Sequence, residues 1–248
     1  MASQVTFFAP DTSILGALTD WEIQTGGNPS ISRSRAQCLK ANGDELAAVQ
    51  YGTKVEYSFT LKPKTFTGTA YTFPNVGEIL GGAHIDSLSL AYTQADFPTL
   101  TVNAHRHCSL DGTTNTHDAC RIYVPSVVLP PRSIGVPSTL KDADGTAIFT
   151  MPEGVGMRSL TYSLAVSHID EDDGEGEHLA GQNHDGVETL SIELTGEVEI
   201  ADLNLSSAWM LPESSSLSQS STAATTTSLT LSRHISYDTT KTPSGAEH

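Results

Sequence analysis

The sequence predicts an all-β protein, an antiparallel β-sandwich or barrel with long hairpins and one or two short helices. Three observations lead to this prediction: apolar and polar residues alternate in several long segments, helical periodicity is scarce, and glycine-containing turns separate the alternating segments. Such alternation is typical of antiparallel strands that turn one face toward a core and the other toward water.

Residues 54–62 give the clearest strand, because Val55, Tyr57, Phe59 and Leu61 alternate with charged and hydroxyl-bearing residues. Half-buried strands favour such a mixture of aromatic, aliphatic and polar side chains. Four further segments alternate in the same way and are predicted to be strands: residues 87–92, 159–167, 189–200 and 228–235.

Turn and helix signals complete the secondary-structure prediction. Asn42-Gly43-Asp44 separates residues 31–41 from residues 45–51 and predicts a β-hairpin. A short helix with a polar N-cap is expected at Asp11–Asp20, and a short turn at Asn75–Leu80.

One β domain is expected over residues 1–236, with an inserted surface loop region at about 105–153 and a flexible C-terminal tail at 237–248. The acidic, glycine-rich segment Asp170–Asp185 is expected to be a solvated hairpin tip between two long strands. The Ser- and Thr-rich segment Ser214–Ser228 fits either a linker or an extended hairpin.

Composition narrows the possible functions. The chain has 248 residues, and 13 basic against 29 acidic residues give a net charge of −16. No basic cluster is present, so the sequence lacks the positive surface that nucleic-acid binding requires. The acidic charge serves either to maintain solubility or to let DNA pass without binding.

Targeting signals are not expected either. The N-terminal residues lack the basic region and long apolar run of a signal peptide. No stretch of about 18 apolar residues predicts a transmembrane helix. We expect synthesis in the cytosol and no membrane association.

The densest group of potential metal ligands lies in the middle of the chain: His105, His107, Cys108, His117 and Cys120. Side chains of these types bind zinc, although the spacing contains no CxxC pair. Zinc binding, a Cys108–Cys120 disulfide and a polar loop without a ligand all remain open. Since Cys38 is the only other cysteine, the odd number leaves one thiol unpaired.

The acidic run is a possible calcium site, because calcium favours several carboxylates on a flexible loop. The spacing does not match an EF-hand, and an exposed tip explains the same composition. The carboxylates concerned are Asp170, Glu171, Asp172, Asp173, Glu175 and Glu177. No cofactor or metal is therefore assigned.

Catalytic motifs are absent from the sequence. It contains no GxSxG elbow, no GxxxxGK[ST] phosphate loop and no HExxH zinc motif. A hydrolase on a β-scaffold is a third interpretation, but we expect the protein not to be an enzyme.

Two features together resemble phage tail tube (major tail) proteins. One is the early hairpin over residues 32–63, in which a polar strand, an acidic NGD turn and an alternating strand follow one another. The other is the closing arrangement of two long strands around an acidic loop, then Trp209, a Ser/Thr-rich hairpin and a final strand.

This resemblance implies a structural virion protein that forms hexameric rings stacked into a tail tube. Its partners would be copies of itself and tail proteins such as a tape measure or sheath, and DNA would pass without specific binding. The location would be the virion tail, assembled in the host cytoplasm. Candidates for lining the lumen are Glu193, Glu197, Glu199, Ser228, Thr230 and Ser232.

The alternative is a carbohydrate- or receptor-binding β-sandwich, such as an adhesin or a capsid decoration domain. It would use the same strands and display loops at one end. Sugar binding favours clustered aromatic residues, whereas Trp21 and Trp209 are isolated and are interpreted as packing residues.

Overall fold

The computed structural model describes residues 21–26, 30–64, 70–72, 79–80, 83–93, 96–108, 114–115, 126–128, 139–141, 147–150, 155–172, 178–199, 203, 212–218 and 225–235. Within these residues the regular structure consists of antiparallel strands. The predicted all-β class with long hairpins is confirmed.

The strands, numbered in chain order, are the following. The first eight are β1 Trp21–Gly26, β2 Ser30–Leu39, β3 Glu45–Pro63, β4 Ala70–Thr72, β5 Ile79–Leu80, β6 Ala83–Thr93, β7 Thr99–Cys108 and β8 Thr114–Asn115. The remaining strands are β9 Ser126–Val128, β10 Thr139–Lys141, β11 Ala147–Thr150, β12 Gly156–Asp172, β13 His178–Thr195, β14 Pro212–Ser218 and β15 Thr226–Ile235.

The main sheet has the strand order β1-β3-β7-β6-β12-β13-β15-β14. Three further strands pair with members of this sheet: β2 with β3, β5 with β6 and β8 with β7. A second sheet has the order β11-β10-β9-β4. Three of the seven neighbouring pairs in this order are consecutive strands, β6 with β7, β12 with β13 and β14 with β15, and the other four pairs join strands that are distant in the sequence.

The alternating segments produce a single core on one face of the main sheet. Val55, Phe59 and Leu61 of β3 are buried beside Leu88 and Leu90 of β6, and the other central strands contribute residues in the same way. Burying one such side chain completely stabilises the fold by about 1.5–3 kcal/mol. The predicted strands over residues 54–62, 87–92, 159–167 and 228–235 are confirmed.

The strand predicted over residues 189–200 is shorter than expected. It ends at Thr195, because Gly196 takes a positive φ of 102° and its N–H donates to the carbonyl of Thr225. Val198 is still buried, but it lies beyond the strand. A positive φ suits glycine, which has no Cβ to oppose that conformation.

The predicted NGD hairpin is confirmed, and its turn has local polar contacts that explain it. Gly43 has a φ of 87°, and its N–H donates to the carbonyl of Lys40 at 2.9 Å. The Asp44 N–H donates to the Asn42 side-chain oxygen at 3.2 Å. Side-chain contacts of this kind are why Asn and Asp favour turns.

The predictions for the inserted region, the Ser- and Thr-rich segment and the short turn can be compared with the structure only where these segments are described. The inserted region at 105–153 contains the end of β7 and strands β8 to β11, so it holds short strands as well as connections. Residues 214–218 of the segment 214–228 lie in β14 and pair with β15, which begins at Thr226, so these residues form paired strands and not a linker. Of the turn expected at 75–80, residues 79 and 80 form the short strand β5 and residues 75–78 lie outside the described residues. The helix expected at 11–20 and the tail expected at 237–248 also lie outside them.

The described part of the chain contains no helix with the length and apolar character needed to cross a membrane.

Candidate functional site

The face of the main sheet opposite the core is covered with hydroxyl groups. Cross-strand pairing aligns one row of six hydroxyl residues across six neighbouring strands, all half-buried. We call this surface the hydroxyl face. The row consists of Thr60, Thr101, Ser89, Ser163, Thr189 and Ser232.

Four of the six predicted lumen residues lie on the hydroxyl face. Ser228, Thr230 and Ser232 of β15 pair with Glu193, Ser191 and Thr189 of β13. The hydroxyls of Ser191 and Thr230 are 3.3 Å apart. Pairing along two adjacent strands therefore brings these four predicted residues together.

The carboxylates are less concentrated than the sequence suggested. Glu193 lies 3.5 Å from the guanidinium of Arg158 and accepts a 3.4 Å hydrogen bond from Ser159, so part of its charge is balanced. Glu197 and Glu199 are exposed but follow the end of β13. The hydroxyl face is therefore mainly neutral and polar, and its charged residues include Glu193 beside Arg158 on one side and Lys54, Glu56 and Lys62 of β3 on the other.

The hairpin of β2 and β3 projects from the main sheet as a two-stranded ribbon. The register shifts between Ser32 and Ser34, where β3 has one extra residue and bulges. Beyond that bulge, residues 34–39 pair with residues 45–51, which extends the ribbon by about 20 Å. We call residues 33–53, from the bulge to the turn and back, the arm.

The arm has no buried face among its described side chains. Ile31 at its root and Leu39 and Leu46 near its tip are 45%, 51% and 62% exposed. Its charged residues include the exposed ion pair of Arg35 with Glu45. A two-stranded hairpin by itself is at best marginally stable in water, so the arm is suited to packing against another surface.

A second ribbon projects from the same end of the sheet. β3 is antiparallel to β7, β7 to β6 and β6 to β12. The start of β3 and the end of β12 therefore lie at the same end of the sheet. β12 and β13 also bulge at this end, between Val166 and His168, and their pairing continues to Asp172 and His178. We call residues 167–185 the acidic ribbon.

The arm and the acidic ribbon carry opposite charge. The arm contains three basic and two acidic residues, whereas the acidic ribbon contains seven acidic residues and neither Lys nor Arg. The rest of the chain apart from the arm has 10 basic and 27 acidic residues. The arm is thus a slightly positive element in a strongly negative protein.

At the sheet end where the arm begins, two histidines and an aspartate form a compact cluster. His84 of β6 and His105 of β7 are directly paired, both are fully buried, and their ring centroids are 5.1 Å apart. Asp86 Oδ1 lies 2.9 Å from His84 Nδ1 and 2.6 Å from His105 Nδ1. We call these three residues the His–Asp cluster.

A β-bulge places the carboxylate between the two rings. Ile85 pairs with Ala104 and Ser87 pairs with Asn103, so Asp86 is the extra residue of β6. Bulges commonly redirect a side chain next to a functional site. The backbone irregularity is therefore what lets one carboxylate oxygen meet both imidazoles.

The electrostatics favour an ionised Asp86 carboxylate beside a neutral His105 ring. Burial alone would raise the pKa of Asp86, but hydrogen bonds from His105 and His84 outweigh it and hold the pKa well below its usual range. Burial lowers the pKa of His105 to about 4, against the opposing effect of Asp86. An ionised Asp86 only accepts, so both Nδ1–H groups donate to it.

A cleft of about 390 Å³ adjoins the cluster on the same side of the sheet. Asp86, whose side chain is 29% exposed, lines this cleft with Glu56 and Asn103. Glu56 is the cross-strand neighbour of His105. The cluster is consequently open toward solvent on its carboxylate side.

A separate polar group is buried in the core face. The Tyr162 hydroxyl donates to Glu188 Oε1 at 2.5 Å, and Arg233 Nε donates to Glu188 Oε2 at 2.8 Å. Glu188 and Tyr162 are fully buried. The cation and the hydroxyl together compensate a carboxylate that would otherwise be costly to bury.

The earlier metal candidates are only partly brought together. His105 lies in the His–Asp cluster, the backbones of His107 and Cys108 lie in β7, and His117 and Cys120 lie outside the described residues. Cys38 is a free, exposed thiol in the arm. The zinc and disulfide hypotheses for this set stay open.

The acidic segment differs from the tip that was predicted. Asp170, Glu171 and Asp172 pair in β12 with residues of β13, so strands continue into the segment 170–185. Asp173, Glu175 and Glu177 lie outside the described residues. The calcium hypothesis for the six carboxylates stays a hypothesis.

Sequence reasoning missed His84 and Asp86 because it searched for ligands near His105 along the chain. The signal that could have found them is hairpin register. β6 and β7 are consecutive strands, and pairing them back from their connection places His84 opposite His105.

Comparison with protein-family models finds no match to this chain, and a search of curated proteins finds none either.

Proposed function

We propose that this chain is a structural subunit that assembles with copies of itself into stacked rings, as phage tail tube proteins do. The arm carries the proposal. It extends from the sheet with both faces wet and with exposed Leu39 and Leu46, so its apolar groups gain a buried environment only on another surface.

A second copy of the chain is the occupant that the charges favour. The arm is slightly positive, and the acidic ribbon at the same end of the sheet is strongly negative. Contact between the arm of one copy and the acidic ribbon of the next is heterologous, and repeated contacts of that type close into a ring when the rotation allows it.

The hydroxyl face supports the tube-like part of the proposal. Serine and threonine side chains such as Ser163, Thr189 and Ser232 carry no positive charge that would hold a phosphate. Two of the cations near this face are paired with carboxylates, Arg158 with Glu193 and Lys62 with Asp96. A channel lined by this face, with Glu193, Glu197 and Glu199 at one end, would let DNA slide. The resemblance to tail tube proteins suggests six subunits per ring.

Negative-stain microscopy and sedimentation of the purified chain test the assembly. We expect rings or stacked rings of uniform diameter at low salt, and fewer of them in about 1 M salt because the charge attraction is screened. Leu46→Asp in the arm should leave a folded monomer. A three-dimensional reconstruction should place Ser163 and Thr189 at the channel wall.

Phe97→Asp is the matched control, because Phe97 is an exposed apolar residue, 44% exposed, in the connection between β6 and β7 and outside the arm. It should leave the rings intact. A wild-type chain that stays monomeric at high concentration would contradict the proposal, as would rings that survive Leu46→Asp. Saturable binding to a glycan array by such a monomer would instead favour the carbohydrate-binding alternative.

A further inference from the structure

The His–Asp cluster is unlike the surface around it. Its neighbours on the same side of the sheet are Glu56 and Lys54 of β3 together with uncharged polar residues such as Ser58, Ser87 and Asn103. At this one place the sheet presents two fully buried imidazoles and a carboxylate instead. These groups are nitrogen and oxygen ligands for transition metals.

The three side chains converge on one point. Their ligand atoms all lie within 4.8 Å of one another, and the Asp86 oxygen is 2.6 and 2.9 Å from the two Nδ1 atoms. Tetrahedral zinc with bonds of about 2.0–2.1 Å separates its ligand atoms by about 3.3 Å. A small outward movement of Asp86 is enough to admit an ion.

Asp86 is the member of the cluster that is able to make this movement. It occupies a bulge and reaches the cleft, whereas both histidines lie in regular strand pairing and are fully buried. The rings are therefore held by the sheet, and the carboxylate adjusts. A rigid pair of ligands with one adjustable partner is a favourable arrangement for a metal site.

We propose that His84, Asp86 and His105 bind a divalent transition metal ion, with Zn²⁺ as the ion to test first. Nδ1 of each histidine and the Asp86 carboxylate are the three protein ligands. Binding requires each histidine to change tautomer: the Nδ1 proton that is donated to Asp86 in the metal-free site leaves Nδ1, and the ring carries its proton on Nε2, so that Nδ1 offers its lone pair to the ion.

The fourth coordination position of the ion would face the cleft. Glu56 is the cross-strand neighbour of His105 and lines the cleft beside Asp86. Either its carboxylate or a water molecule completes a tetrahedral set. Because Ser30 of β2 lines the same cleft, the ion would lie at the root of the arm and would help to fix its position.

Titration of Zn²⁺ into the metal-free wild-type chain tests the site. Calorimetry measures the binding, and the midpoint of thermal unfolding measures the stabilisation that results. One equivalent should bind and raise the midpoint. Asp86→Asn, which keeps the side-chain size, should weaken binding by about 10- to 100-fold. Ca²⁺, which prefers oxygen ligands, should not compete.

Two controls separate this site from other histidines and cysteines. The double variant Cys108→Ser, Cys120→Ser should keep full affinity, and so should His234→Ala, which alters an exposed histidine elsewhere. Because His105→Ala could disturb folding, Co²⁺ bound to the wild-type chain supplies a second readout, with the absorption of a tetrahedral nitrogen and oxygen site.

The absence of saturable Zn²⁺ binding by the folded wild-type chain would overturn the proposal, and so would equal affinity in Asp86→Asn. Loss of binding in the cysteine variant would assign the zinc to the other cluster. None of these results depends on ring assembly, so the metal site and the proposed function fail or stand separately.

Discussion

The two halves of β3 belong to the same strand but have different surroundings. In residues 54–63 the strand has neighbours on both sides, and Val55, Phe59 and Leu61 are buried. In residues 45–51 the described pairing is with β2 alone, and Leu46 is 62% exposed. The first half is part of the sheet body and the second is part of the arm.

The difference shows that continuous backbone pairing does not imply equal stability. The body half is stabilised by burial of apolar area, whereas the arm has hydrogen bonds that compete directly with water. We therefore expect the arm to open locally at low cost while the body unfolds as a unit. Matched substitutions in the two halves can break or sharpen this comparison.

Core truncation should give the largest contrast. Phe59→Ala removes a fully buried ring and should lower the free energy of unfolding by about 3–5 kcal/mol, whereas Leu46→Ala in the arm should change it little. Urea unfolding followed by tryptophan fluorescence measures both. Similar losses in the two variants would mean that the arm is packed as part of the core.

The same comparison explains which parts of the fold were predictable from sequence. A strand with one buried face needs apolar residues at every second position, so Val55 to Leu61 was readable as a strand. The described side chains of the arm have no such face, and the sequences of the arm and the acidic ribbon do not alternate. The sequence therefore predicts a hairpin tip at residues 170–185, whereas the structure continues the pairing of β12 with β13 as far as Asp172 and His178.

The candidate sites divide in a similar way. Glu193, Ser228, Thr230 and Ser232 could be grouped from sequence, because alternation assigns each to the polar side of its strand. The His–Asp cluster depends on register between β6 and β7 and on a bulge at Asp86. A bulge changes which residues face each other and leaves no regular sequence pattern.

Ion pairs should show an intermediate contrast. Arg233→Ala would leave the buried Glu188 with the Tyr162 hydroxyl but without its cation, at a cost of about 3 kcal/mol. Arg35→Ala removes the exposed pair with Glu45 in the arm and should cost less than about 1 kcal/mol.

Urea unfolding at neutral pH compares these two arginine variants. Glu188→Gln combined with Arg233→Ala should recover part of the loss, because the uncompensated charge is then absent. If Arg233→Ala were as mild as Arg35→Ala, Glu188 would not be a buried ion in the folded protein.

Glycine substitutions should give the smallest contrast and the most specific one. Gly196→Ala and Gly43→Ala both force alanine into positive φ, at 102° and 87°, with no atom near the added Cβ. Each carries a local strain of about 1–2 kcal/mol. At Gly196, where the N–H bonds to Thr225 beside the body strands, that strain should appear in full in global unfolding. At Gly43 the native protein can release the strain by opening the arm, so the global loss cannot exceed the small stability of the arm itself.

Urea unfolding together with amide hydrogen exchange measures both: Gly43→Ala should speed exchange in residues 34–51 alone. Equal global losses would mean that the arm folds cooperatively with the body, and the contrast between the two halves of β3 would then be one of exposure and not of stability.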